Sequence, residues 1–130
     1  MTAVRGLLAA AATTLIAGCV GPESTANTTA QESMSTGLLD YEITVSHDAV
    51  MPGALRIEVT NAGRDSHDLA AAADEERATT PRLRPGEDAV LVLDVPADSE
   101  ELVLWCTLPG HRAQGMQASV LVARDDTTEQ

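Results

Sequence analysis

Residues 105–116 read Trp-Cys-Thr-Leu-Pro-Gly-His-Arg-Ala-Gln-Gly-Met, which puts a thiol, an imidazole and a thioether in one short segment at the spacing Cys106-x4-His111-x4-Met116. Pro109-Gly110 and Gly115 supply the turn chemistry that can curl these three side chains toward one point. Thiolate, imidazole and a weak thioether together suit copper cycling between its two oxidation states, and two His, one Cys and a distant Met make a blue-copper donor set. The segment holds three of those four donors, so a second His must come from elsewhere. His67, in Asn61-Ala62-Gly63-Arg64-Asp65-Ser66-His67-Asp68-Leu69, follows a turn sequence and is the candidate. Its rival is His47, which follows an apparent strand in Ser46-His47-Asp48 and reads as a solvated residue. Each donor taken alone has an ordinary explanation: an inert buried thiol for Cys106, a surface loop residue for His111, core filler for Met116. Their combination at this spacing, with Pro-Gly before the His and Gly before the Met, favours a metal.

The flanking segments must bring these side chains together, and they read as strands. Leu39 to Val45 alternates apolar with polar, as does Leu55 to Thr60, and alternation marks a half-buried strand. Ala89 to Val95, Glu101 to Cys106 and Met116 to Ala123 are further apolar runs. Met51-Pro52-Gly53, Asn61-Ala62-Gly63 and Arg84-Pro85-Gly86-Glu87 read as turns. Residues 72–81, rich in Ala and charge, are expected to form a loop with at most one helical turn. Several short strands punctuated by Gly and Pro predict an all-β sandwich. The sequence has no Phe, one Tyr and one Trp, so its core must be built mainly of Val, Leu, Ile and Ala.

From the upstream His to the Cys-His-Met loop, residues 40 to 123 resemble the cupredoxins, the small blue-copper family that includes plastocyanin, azurin, auracyanin and rusticyanin. The loop spacing is most similar to that of the auracyanin and rusticyanin type. The resemblance implies an all-β Greek-key β-sandwich holding one copper ion on His67, Cys106, His111 and Met116. It also implies that Asp68 and Thr107, which follow two of the donors, hydrogen-bond across their loops and hold the site rigid. Two positions depart from the common pattern: Trp105 stands where members usually carry Tyr or Phe, and Asp68 where many carry Asn. Neither departure removes a ligand.

At 130 residues the chain has room for one domain. Residues 1–18 read as an export signal, with Arg5 followed by an apolar run too short to span a membrane. That run ends in Leu15-Ile16-Ala17-Gly18-Cys19, which resembles a bacterial lipobox and predicts lipidation of Cys19. Residues 19–37, poor in large apolar side chains, read as a flexible linker. Residues 38–124 then form the cupredoxin domain and 125–130 a polar tail. Two cysteines in an exported protein ordinarily suggest a disulfide. Lipid on Cys19 would leave Cys106 alone, and metal ligation gives a lone thiol an occupation in an oxidising compartment.

The formal charge is −12, with no Lys, and loss of residues 1–18 would remove one Arg and no acid. Such a charge argues against nucleic acid as a partner and against electrostatic adhesion to anionic lipid. Three function classes then compete. An enzyme of the copper oxidase or nitrite reductase kind needs further His-rich copper sites, which three His in total cannot build. A copper storage or delivery protein needs exchangeable ligands. A closed His2Cys site with a distant Met suits a carrier of single electrons, the expected function, in a monomer that meets its redox partners transiently. His111 is expected to lie nearest solvent among the donors. Leu108, Pro109 and Ala113, rimmed by Arg112, are expected to form a small apolar docking surface over it.

Overall fold

The structure is a computed structural model that describes residues 32–124. The export signal, Cys19, the first part of the expected linker and the tail from residue 125 lie outside the described residues. Among the described residues, nine strands make two sheets. Ser33–Leu39 (β1), Glu42–Val45 (β2), Gly53–Asn61 (β4) and Asp88–Val95 (β7) form one, in the order β2-β1-β4-β7. Ala49–Val50 (β3), Ala70–Ala73 (β5), Glu76–Thr79 (β6), Glu101–Trp105 (β8) and Gln117–Val122 (β9) form the other, in the order β3-β9-β8-β5-β6. β1 runs parallel to β4 and β3 parallel to β9, and the remaining pairs are antiparallel.

Alternation along the strands builds the core. Met34, Thr36 and Leu38 of β1, Leu55, Ile57 and Val59 of β4, and Leu91, Leu93 and Val95 of β7 are buried, while residues between them face outward. They meet Leu102 and Leu104 of β8 and Val120 and Val122 of β9. The core is aliphatic, as the composition requires: Trp105 is half-buried and Tyr41 is exposed. Among the described residues no helix is long and apolar enough to cross a membrane.

Three expectations about the chain path need correction. The sandwich begins at Ser33, inside the segment expected to be linker, because Met34 and Thr36 bury alternate side chains between Ser33, Ser35 and Gly37. Leu39 to Val45 is not one strand but the end of β1, a reversal at Asp40-Tyr41, and β2, with Leu39 paired to Glu42. Tyr41 takes a φ of 68°, in the left-handed region that such a tight reversal uses. Residues 72–81 are no loop with a helical turn. Ala70–Ala73 pairs with both β8 and β6, since small buried side chains let the backbone join the sheet despite the helical preference of Ala.

Candidate metal centre

One end of the sandwich carries the predicted donors. Cys106 follows the last residue of β8, Met116 precedes the first of β9, and these neighbouring strands hold the two ends of the loop together. The Cys106 N–H donates to the Met116 carbonyl at 3.2 Å, and the Met116 N–H to the His111 carbonyl at 3.1 Å. A single 3-10 turn, Arg112–Gln114, fills the space between His111 and Gly115. Gly115 ends it with a φ of 103°, a conformation that favours glycine.

His67 enters from the other side, in the connection between β4 and β5. Asn61, fully buried, organises that connection. Its amide donates to the carbonyls of Asp65 and Leu83, and its side-chain oxygen accepts from the Gly63 N–H, each at 2.9 Å. The His67 backbone is pinned in a two-bond bridge to Leu83, 3.0 Å one way and 2.7 Å the other. Buried polar groups satisfied this fully leave the imidazole little freedom.

The result is a convergence of unlike donors. His67 Nδ1 lies 3.2 Å from His111 Nδ1, and Cys106 Sγ lies 3.6 Å from the same His111 nitrogen. One donor atom from each residue falls within 4.8 Å of the others. An ion roughly 2 Å from two imidazole nitrogens and about 2.3 Å from a thiolate, at near-tetrahedral angles, sets N–N and N–S separations of about 3.3 and 3.6 Å. His111 Nδ1 therefore stands from the other two donor atoms at the spacing of groups sharing one ion. His67, Cys106 and Met116 are buried and His111 is half-buried, so His111 is the donor nearest solvent. Burial pushes the Cys106 thiol up from its ordinary range, with the Asp68 charge adding to it and backbone N–H groups of Asp68 and Leu108 opposing. Such a thiol ionises when a cation takes the proton's place. His47 lies outside the cluster, its Nδ1 beside Ser46 Oγ at 2.8 Å.

Asp68 and Thr107 join the two loops: Asp68 Oδ1 accepts from the Thr107 N–H at 2.6 Å, and Oδ2 from the Thr107 hydroxyl. Of the expected docking residues, Pro109, Arg112 and Ala113 are exposed, whereas Leu108 is half-buried and packs partly against the core. Trp105 is flanked by the guanidinium groups of Arg77 and Arg112, 4.8 and 4.7 Å from its ring.

Two residues of the site were not foreseen, and both sit in the β1–β2 reversal. Asp40 Oδ1 lies 3.1 Å from His67 Nε2. The Tyr41 ring meets His111 edge-on, with centroids 5.3 Å apart. A two-residue turn thus touches both imidazoles. The sequence signal was hidden because the apolar–polar alternation runs unbroken through it.

No family model and no curated protein matches the sequence. Solved structures do match the fold. A dithionite-reduced auracyanin from the photosynthetic bacterium Roseiflexus castenholzii superposes with a TM-score of 0.62 at 20% identity, over 72% of this chain and 98% of its own. Auracyanin B gives 0.55 at 16% identity, over 70% and 88%. A copper-containing nitrite reductase from Thermus scotoductus gives 0.55 at 14% identity, over 72% of this chain but only 31% of the enzyme. Residues 32–124 share with these proteins the β-sandwich of the cupredoxins.

Proposed function

We propose that this cupredoxin-fold chain is a mononuclear type 1 copper protein that carries single electrons. The observation that carries the proposal is the meeting of His67 Nδ1, His111 Nδ1 and Cys106 Sγ at one largely buried end of the sandwich. His67, Cys106 and His111 would hold the ion, with Met116 as the weak fourth donor. The ion would supply a one-electron couple between Cu(I) and Cu(II).

The chain's own part is to keep its donors still and dry. Asn61 and Leu83 fix the path of the His67 loop. The Asp68–Thr107 bonds clamp that loop to the one carrying Cys106. Bonds among Cys106, His111 and Met116 fix the curvature of the second loop. A site so restrained changes shape little when its charge changes, and that lowers the reorganisation accompanying electron transfer. Burial of three donors also argues against storage or delivery, where ligands must open to exchange. The half-buried His111 edge, beside exposed Pro109 and Ala113, is the route we assign to the electron. Arg112 at the rim would orient a transient partner. With two of the three histidines in one cluster, only His47 is left for any second copper centre, so we read the chain as a carrier and not as an enzyme.

We further propose, from Leu15-Ile16-Ala17-Gly18-Cys19, that the protein is exported and held outside the cytoplasm by lipid on Cys19. Cys19→Ser should move it from the membrane fraction to the soluble one. An unmodified N-terminus in the intact mass of the wild-type protein would rule the anchor out. The copper reading is tested by titrating the metal-free protein with Cu(II): one equivalent should develop the intense visible absorption of thiolate-to-copper charge transfer. Binding without that band would exclude a type 1 site.

A further inference from the structure

Asp40 belongs to no loop that bears a donor, yet its carboxylate sits against His67 from 27 residues upstream. Its side chain is 20% exposed. Oδ1 accepts from the backbone N–H groups of Arg64 and Asp65 at 2.9 and 3.1 Å, and faces His67 Nε2 at 3.1 Å. Oδ2 accepts from Arg64 Nε at 3.1 Å. Each carboxylate oxygen thus already accepts from an N–H group, and the Arg64 guanidinium pairs with the charge. An ionised carboxylate only accepts hydrogen bonds, so the proton must lie on His67 Nε2. A neutral imidazole protonated at Nε2 has its lone pair on Nδ1, the atom that faces His111 Nδ1.

Gly63 offers a second, independent observation. A Cβ at this position would lie 2.6 Å from Asp40 Oδ1 and 2.9 Å from His67 Nε2. The backbone there is not in the left-handed region, so glycine is not demanded by φ. What requires it is space: the chain carries no side chain where the carboxylate and the ring meet.

We propose that Asp40 is a positioning residue for the metal centre. Its carboxylate fixes His67 with the proton on Nε2, presents Nδ1 to the ion, and through its negative charge favours Cu(II) over Cu(I). The last part rests on the copper reading above, while the first does not. Arg64 offsets this charge only weakly, because its own side chain is 94% exposed and screened by water.

The test has two arms. In the metal-free protein, nitrogen-15 NMR of the His67 ring should show Nε2 protonated and Nδ1 bare. Asp40→Asn, which keeps an acceptor oxygen, should preserve that state. Asp40→Ala should lose the preference, and so should Gly63→Ala, which displaces the carboxylate without removing it and guards against an unfolded Asp40→Ala. In the copper-loaded protein, Asp40→Asn should keep the visible band and raise the reduction potential. The expected change is about tenfold in the preference for Cu(II), or about 59 mV for one electron. Arg64→Gln should move the potential the other way, by less. An unchanged His67 ring state in Asp40→Ala and Gly63→Ala would overturn the proposal, as would an unchanged potential in Asp40→Asn with the colour intact. A wild-type protein lacking the visible band would defeat the copper reading instead, and the metal-free arm would still decide the role of Asp40.

Discussion

The loop from Cys106 to Met116 and the reversal at Asp40-Tyr41 reach one site from opposite sheets, and they do different work. The first supplies atoms that can bind a metal, and its residue types are rare enough to stand out. The second supplies contacts, a carboxylate on His67 and a ring edge on His111, from residue types found on any surface. Donors are concentrated because the two ends of one strand connection can gather them locally. Their supports are scattered because each is chosen by what lies nearby in space. The loop should therefore decide whether a metal binds, and the supports how firmly and in which oxidation state.

The sharpest way to break this division is to remove donors. Cys106→Ala and His67→Ala should each abolish the visible band of the Cu(II) protein, while His47→Ala should leave it unchanged. A colourless His47→Ala protein beside a blue His67→Ala protein would reverse the ligand assignment. Next in size is the clamp between the donor loops. Asp68→Ala should cost roughly 1–3 kcal/mol of stability, as expected when a buried carboxylate gives up its hydrogen bonds, and the band should persist. Comparison of denaturant midpoints in the metal-free proteins measures this directly, and equal midpoints would show that the clamp adds nothing. The smallest effect concerns the rim. Leu108→Glu and Ala113→Glu should slow electron exchange with a small redox protein while colour and potential stay nearly constant. Ala113→Glu is the cleaner probe, because Leu108 also packs against the core. Unaltered rates in both would place the exit of the electron elsewhere.

What the sequence displayed follows the same division. Cys106, His111 and Met116 were legible because one loop holds all three, and His67 because a turn precedes it. Strand β4 was legible by its alternation, and β7, β8 and β9 as short apolar runs beside turn residues. The β1–β2 reversal was not, since Leu39-Asp40-Tyr41-Glu42-Ile43 alternates as smoothly as a strand and contains no Gly or Pro. Strand β5 was missed because a run of Ala has no hydrophobic period and pairing with β8 decides its conformation, and β6, Glu-Arg-Ala-Thr, because only its pairing with β5 makes it a strand. Nothing local marks Asp40 as a partner of His67 either. Its role depends on the parallel pairing of β1 with β4, which sets Leu38 opposite Asn61 and brings the following residues of both strands together.

The central claim is that these donors form a restrained centre for single electrons. Cyclic voltammetry of the copper-loaded protein tests it most directly. The account predicts one reversible one-electron couple, with the visible band bleached on reduction and restored in full on reoxidation. An irreversible wave, with copper released on reduction, would contradict it and point to storage or delivery.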